Sequence, residues 1–448
     1  MVPGVEELRD ALTGDVLVEG DREYDRARLC FNLLIVRKPA AIARCVDADD
    51  VATALAFAQE NDLEIAVRGG GHNPAGHCSV EDGLVIDLSR MRTVEVDPDA
   101  RIARSQGGAT WLDFDAATQQ HGLATPGGVV GSTGVTGLTL GGGIGHLTAQ
   151  FGLTCDGLVG ATLVTASGEK VHASEEDDAE LLWGLRGGGG NFGVATEIEL
   201  RLHPVETVVG GRLEYEGDGV GEALRRFRDL ATDGPRDMSI QAQLVPDTDD
   251  QPKLVAVPCY TGDGDEPEAL AGFRSAAGLV NDSIRRHGFL DQQRIFDPGY
   301  GVDRNYWKGH FVHELPDELI DILVGAMTSL GRPPGGILME SLHGAPKDVD
   351  PSSAALGYRD AAFNISVMAS WEDAALDDEH IAWARETTAA IEPWSVSGGY
   401  ANYMQADEPL DRVRAAFGSD SFDRLQALKS RYDPDNVLHR NQNIPPAA

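Results

Sequence analysis

Val67-Arg68-Gly69-Gly70-Gly71-His72-Asn73-Pro74-Ala75-Gly76 follows directly on the apolar run Ile65-Ala66-Val67, and this junction decides how the chain is read. The apolar run predicts a short strand. The small residues after it let successive backbone N–H groups point into one concavity, a nest that binds phosphate oxygens. A dinucleotide fingerprint, G-x-G-x-x-G, would instead open a helix whose N-terminus faces the pyrophosphate. Here Pro74 and Gly76 break the chain, and the next predicted element, Leu84 to Leu88, is a strand. A Rossmann or P-loop reading therefore fails while phosphate binding survives. A triple glycine alone is equally a structural turn, and on the loop alone His72 reads more readily as a hydrogen-bonded turn residue. His77, five residues on, makes no recognisable metal pair with it, and no metal site is expected.

Upstream, Asp47 to Asn61 carries Val51, Ala54, Leu55 and Ala58 at helical spacing behind an aspartate cap. Downstream, a hairpin is predicted around Asp97-Pro98-Asp99, and Thr110 caps a helix ending near His121-Gly122. The stretch from Gly127 to Gly145 holds nine glycines in nineteen residues, interleaved with Val129, Val130, Val135, Leu138, Leu140 and Ile144. Apolar residues among permissive ones describe a buried, closely approached backbone rather than a tether. Strands near Ala161 to Thr165 and Val194 to Leu202 flank a helix at Ala179 to Leu185 and a second cluster, Gly187 to Gly190.

From about Val208 the texture changes. Strand-like runs at Ser239 to Leu244, Leu254 to Tyr260, Gly336 to Leu342 and Phe363 to Ala369 alternate with helices near Ala269, Leu319 and Ile381. That pattern predicts an antiparallel sheet covered by helices, an α+β arrangement.

The 448 residues exceed one ordinary core, so two joined domains are expected, and 42% hydrophobic content supports them. No run reaches the roughly 18 apolar residues of a membrane span. The opening MVPGVEELRD lacks the marks of a secretory signal, so the expected location is the cytoplasm. Five cysteines without regular spacing fit buried thiols in a reducing compartment. The charge is extreme: 72 acidic against 37 basic residues, net −35, with only six lysines. Such a polyanion repels nucleic acid and anionic membranes. Acidity dispersed along the chain is the pattern of an extreme halophile, haloarchaeal in type, living where molar salt shortens the Debye length to about 3 Å. Oligomeric state has no signal here.

Five ordered segments resemble the FAD-linked oxidases of the berberine-bridge-enzyme and hydroxynicotine-oxidase type, with the vanillyl-alcohol-oxidase (PCMH-type) flavin fold. They are Val67 to Gly76; Gly134 to Gly145 (GVTGLTLGGGIG); Asp156 to Ala161; Leu182-Trp183 through Arg186 to Val194; and Tyr400-Ala401-Asn402-Tyr403 with the closing YDPDN…NQNIPP. The resemblance implies an FAD-binding domain over 1–205 (PCMH-type core about 37–205), a substrate-binding domain over 206–395, and a C-terminal segment, 396–448, returning to the first. It implies that Arg68, Gly69, Gly70, Gly71, His72 and Asn73 cradle the pyrophosphate, with Gly76 and His77 beside them. Gly128, Ser132, Thr133, Gly134, Gly137, Leu138, Gly142, Gly143 and Gly145 would pass along the flavin and ribityl. Val194 would lie at the adenine, with Asn402, Asn441 and Asn443 closing from the C-terminus. His72 would carry the flavin covalently. Relatives with a second link use a cysteine where this chain has Val130, so a single link is expected.

The implied chemistry is hydride transfer from a CH–OH or CH–NH group of a small organic substrate, which also needs a base for the heteroatom proton. Tyr400 is the candidate, as a tyrosinate of lowered pKa, placed with Asn402 on one face of a strand and Tyr403 on the other. Glu340 and His343 are rivals, and Tyr306-Trp307-Lys308 is expected to line the pocket. Thr133 falls at the family's oxygen-gating position, so dioxygen is the expected acceptor. The alternatives are a dehydrogenase that holds FAD non-covalently and serves another acceptor, and a flavin-binding protein without catalysis. The charge pattern predicts a melting temperature that rises steeply between dilute buffer and molar potassium chloride; a flat response would sink the halophile reading.

Overall fold

In the computed structural model, which describes residues 4–264, 267–330, 333–396 and 398–447, the chain folds around three main sheets. The first is four-stranded, in the order Asp15–Leu17, Ala41–Arg44, Leu84–Asp87, Ile65–Arg68, with the last three strands parallel. Parallel neighbours need a crossover, and the helix Ala48–Glu60 supplies it. Asp47 caps this helix by accepting from the N–H groups of Asp49 and Asp50, and Val51, Ala54, Leu55 and Ala58 are buried as their spacing predicts. The second sheet is five-stranded and antiparallel: Val94–Asp97, Ile102–Gln106, Val194–Arg201, Leu158–Val164, Lys170–Ser174. Thr110 forms a capping box with Asp113 on the helix Trp111–Thr118.

The glycine-rich stretch is buried, and it contains a short helix, Val135–Leu140, that its composition concealed. Strand Thr207–Gly210 opens a nine-stranded antiparallel sheet that ends at Phe363–Trp371. Helices Val220–Asp233, Asp317–Ala326 and Asp377–Ile391 pack on one face of it around Phe227, Leu319, Ile320, Ile337, Met339 and Trp383. The other face is left for the first domain. The sequence reading names four of the nine strands; the others, among them Arg304–Val312 that pairs with Phe363–Trp371, and the helix Val220–Asp233 were not expected. The strand 400–403 is a correction: Ala401–Tyr403 is a 3-10 turn, entered through Gly399 at φ 125°. A left-handed glycine bends the chain there instead of extending it.

The end of the described chain returns to the first domain. Phe422, Leu425 and Leu428 of the helix Ser419–Tyr432 join the core of Leu181, Trp183 and Phe192. Lys429 is fully buried: its Nζ donates to Asp433 at 2.5 Å and to the carbonyls of Asn191 (2.9 Å) and Leu438 (3.0 Å). Asp433 in turn accepts from the N–H groups of Val437 and Leu438. Among the described residues no helix is long and apolar enough to cross a membrane. Removing one member of a buried ion pair strands the other charge, so Lys429→Met is expected to lower unfolding free energy by about 3–5 kcal/mol. Denaturant titration in molar salt checks this, and a loss below about 1 kcal/mol, within the range of exposed pairs, would show the pair to be dispensable.

Candidate active site

Strand Ile65–Arg68 delivers its loop to the seam between the domains, where Gly71 adopts φ 73° and Gly76 φ 67°. Gly70 lies against Gly134: a Cβ on Gly70 would fall 2.3 Å from the Gly134 nitrogen. The two glycine segments thus meet backbone to backbone and form the floor of a long cleft, about 1760 Å³ of empty space including its open mouth. Gly69, Gly70, Gly71, His72, Asn73 and His77 line one end. Gly128, Thr133, Gly134, Gly137 and Leu138 run along it, with Val194, Asn402 and Asn441 at the walls.

Several expected residues stand behind the cleft rather than in it. The Arg68 guanidinium donates to the carbonyls of Ala27 and Arg28, closing the helix Tyr24–Ala27. Gly76 packs under Ile35, and Gly145 against the Gly127 carbonyl, in gaps that a Cβ would overfill. Gly142 and Gly143 sit under Tyr358 and Thr154 in the same way. Ser132 and Asn443 are also outside the lining.

His72 is held on three sides. Ser132 Oγ is 2.8 Å from Nε2, Thr133 Oγ1 is 3.3 Å from Nδ1, and the Phe31 ring stacks on the imidazole at 4.5 Å. Burial pulls its pKa down to about 4, so the ring is neutral at physiological pH. Val130 lines the cleft, and Cys155 is buried in the core behind.

The roof is the free face of the nine-stranded sheet. Trp307 and Met368 line the cleft from it, Tyr300 from the turn that precedes strand Arg304–Val312, and Tyr403 from the C-terminal turn. Of the expected trio only Trp307 does so; Tyr306 packs on the helix side and Lys308 pairs with Glu408 at 2.6 Å. Along Gly335–Ser341, Ile337 and Met339 join the helix-side core while Leu338 meets Trp307 and Met368. Alternation therefore puts Glu340 on the cleft side with Leu338. Glu340 is fully buried, accepts from Asn364 Nδ2 at 2.7 Å, and has its second oxygen without a protein partner. Burial raises its pKa to about 7. His343 turns aside to Ser341 Oγ at 2.6 Å.

Neither Tyr400 nor Glu340 is among the side chains that line the cleft; both are buried behind it. The Tyr400 hydroxyl accepts from Gly143 N–H and Asn402 Nδ2, both at 3.0 Å. Burial first, and the nearby Glu340 second, push its pKa up, and the same two causes act on Tyr300 and Tyr403. Both act against the expected lowering of a tyrosine pKa, and the hydrogen bonds from Asn402 and Gly143 offset them only in part.

The family model described as FAD binding domain matches residues 39–174, and that described as berberine and berberine like matches 399–445. (R)-6-hydroxynicotine oxidase of Paenarthrobacter nicotinovorans is 30% identical over 97% of both chains. The chain belongs to the FAD-linked oxidoreductases of berberine-bridge type. An FAD-linked oxidoreductase of Dictyostelium discoideum is 29% identical over 99% of this chain and 97% of its own. The solved 6-hydroxy-D-nicotine oxidase of Arthrobacter nicotinovorans superposes with a TM-score of 0.88, at 28% identity over 97% of this chain and 98% of that one. Xylooligosaccharide oxidase of Myceliophthora thermophila, 23% identical over 99% and 100%, shares the fold with a TM-score of 0.86.

This FAD-linked oxidoreductase is an FAD-dependent enzyme, and its cleft fits the cofactor on its own terms. The Gly70–Gly134 floor is backbone alone, Gly137 lines the cleft where an added Cβ would meet no protein atom, and the buried side-chain oxygen of Asn441 at the wall lacks a protein partner. Phe31, Tyr300 and Met368 are not singled out by the sequence reading; only their shared place on the seam does so. Gly137→Val should give folded protein purified with little flavin, read from visible absorbance, because the new side chain meets no protein atom and fills the cleft; normal flavin content would refute the floor assignment.

Proposed function

We propose that this FAD-linked oxidoreductase oxidises a CH–OH or CH–NH group of a small organic molecule, with FAD carried on one covalent bond through His72 and dioxygen as the acceptor. When bound, FAD supplies the site that takes the hydride from the substrate carbon. What supports the reading is the fully buried carboxyl of Glu340 on the sheet face that carries Leu338, with one oxygen held by Asn364 and the other without a protein partner. A proton acceptor works best when its pKa lies near the working pH. Glu340 replaces Tyr400 in that role here, and Tyr400 braces Gly143 and Asn402 instead.

The single link rests on the residues around His72. Its neutral imidazole is the nucleophilic form, and the Ser132 and Thr133 hydroxyls fix the ring plane from both nitrogens. The 24%-identical glucooligosaccharide oxidase of Acremonium strictum is described with a 6-S-cysteinyl, 8α-N1-histidyl FAD. Val130 offers no sulfur for the first of those bonds. Thr133 also lines the cleft as a compact, β-branched side chain, which supports access for dioxygen.

His72→Ala should yield folded protein whose flavin separates on acid precipitation, while the wild type stays yellow; retention of flavin by the denatured variant would place the link elsewhere. Glu340 is protonated below about pH 7 and ionised above it, so anaerobic flavin bleaching by substrate should accelerate as pH rises through 7. Glu340→Gln should erase that limb and slow bleaching by about 10²–10⁴-fold. An unchanged pH profile in the variant would remove Glu340 from the reaction. Thr133→Leu should slow reoxidation by aerated buffer while leaving bleaching largely intact; equal reoxidation rates would end the gate assignment.

A further inference from the structure

The five cysteines are all free and buried, but they are not alike. Cys45, Cys155 and Cys259 sit apart, each with burial as the main cause raising its thiol pKa. Cys30 and Cys78, 48 positions apart in the chain, bring their sulfurs to 3.4 Å. We propose that Cys30 and Cys78 are a redox-modification site, a dithiol that closes to a disulfide and fastens the Phe31 segment to the His72 loop.

The surroundings support closure and give it a consequence. Cys78 Sγ lies 3.7 Å from the Gly71 carbonyl, and Phe31 N–H donates to that same oxygen at 3.1 Å. Asn32 Nδ2 donates to the Pro74 carbonyl at 2.7 Å, so the segment after Cys30 is already laid along the loop after His72. A bond between the sulfurs would lock this alignment, closing their separation to about 2 Å. The pair shares its protons unevenly: the Cys78 S–H donates to Cys30, and with Arg68 and Arg37 near, the Cys30 thiol is pulled down while Cys78 is pushed up. A thiolate beside a protonated thiol is the reactive arrangement for exchange and oxidation.

With hydrogen peroxide as oxidant, the Cys30 thiolate attacks one oxygen, the O–O bond breaks, and hydroxide leaves a sulfenic acid on Cys30. The Cys78 sulfur then attacks the Cys30 sulfur; the S–O bond breaks, and the departing hydroxide takes the Cys78 proton as water. Thiolate, thiol and peroxide thus become disulfide, hydroxide and water, a two-electron oxidation of sulfur. A small dithiol reverses it by exchange and leaves as its own disulfide.

The test uses the flavin-loaded protein in molar potassium chloride, treated with a small excess of hydrogen peroxide, alkylated in denaturant and digested without reductant. The expected result is a Cys30–Cys78 linked peptide, with two of the five thiols lost together and both recovered with dithiothreitol. Five alkylated thiols, or a sulfinic acid at either position without the linked peptide, would overturn the proposal. Hydrogen exchange across Gly69 to Ala75 should slow in the oxidised wild type and not in peroxide-treated Cys30→Ser. If the disulfide forms and exchange there is unchanged, the fastening role is lost.

Discussion

Where Gly70 passes Gly134, two backbones approach so closely that a methyl group on either would fall within 2.3–2.6 Å of the other's nitrogen. Everything that defines the cleft depends on this contact. It fixes the distance between the loop that ends in His72 and the segment that begins at Thr133, and so allows Thr133 and Ser132 to reach both imidazole nitrogens. It leaves a floor without side chains, against which the substrate sheet can lower Trp307 and Met368. The glycines farther along, Gly142, Gly143 and Gly145, serve the same geometry from behind by letting Tyr358, Thr154 and Gly127 press against them.

The seam concentrates polar groups that water would otherwise solvate. Glu340 has one oxygen bonded to Asn364 and the other unpartnered, and its field reaches Tyr300, Tyr400 and Tyr403. Desolvation is the first cause of each shift, so the acid and the three tyrosines all lean toward their neutral forms. A site arranged this way accepts a proton more readily than it tolerates a fixed anion.

Legibility in the sequence followed the physics of each element. The helix Ala48–Glu60 could be read because one face is buried and one is wet, with Asp47 to start it. The strand Arg304–Val312 could not, since its neighbour Phe363–Trp371 and its place between helices and cleft bury both faces and erase alternation. The helix Val135–Leu140 hid among glycines, which score as helix breakers until tertiary packing overrides them. At the site, the glycine nest and His72 stood out because only a special backbone needs such a run. Arg68 misled, because an arginine beside a phosphate nest reads as a ligand although here it closes a neighbouring helix. Glu340 offered only one carboxylate in an apolar strand, and its burial is a property of the assembled sheets. Cys30 and Cys78 meet across 48 positions that no local pattern spans.

The buried Lys429 joins the helix Ser419–Tyr432 to the Asn191 carbonyl, and Ile444 N–H reaches the Asn191 side chain at 3.0 Å. The core around Phe192 is thus built from two stretches separated by the whole substrate domain. On the ribosome, that core gains Phe422, Leu425 and Leu428 only when the helix Ser419–Tyr432 emerges. The first two sheets and then the nine-stranded sheet are made before it, and the cleft, lined as far as Gln442, is completed last. The order of synthesis makes the cofactor site a late-maturing structure that depends on successful folding of the domain inserted within it.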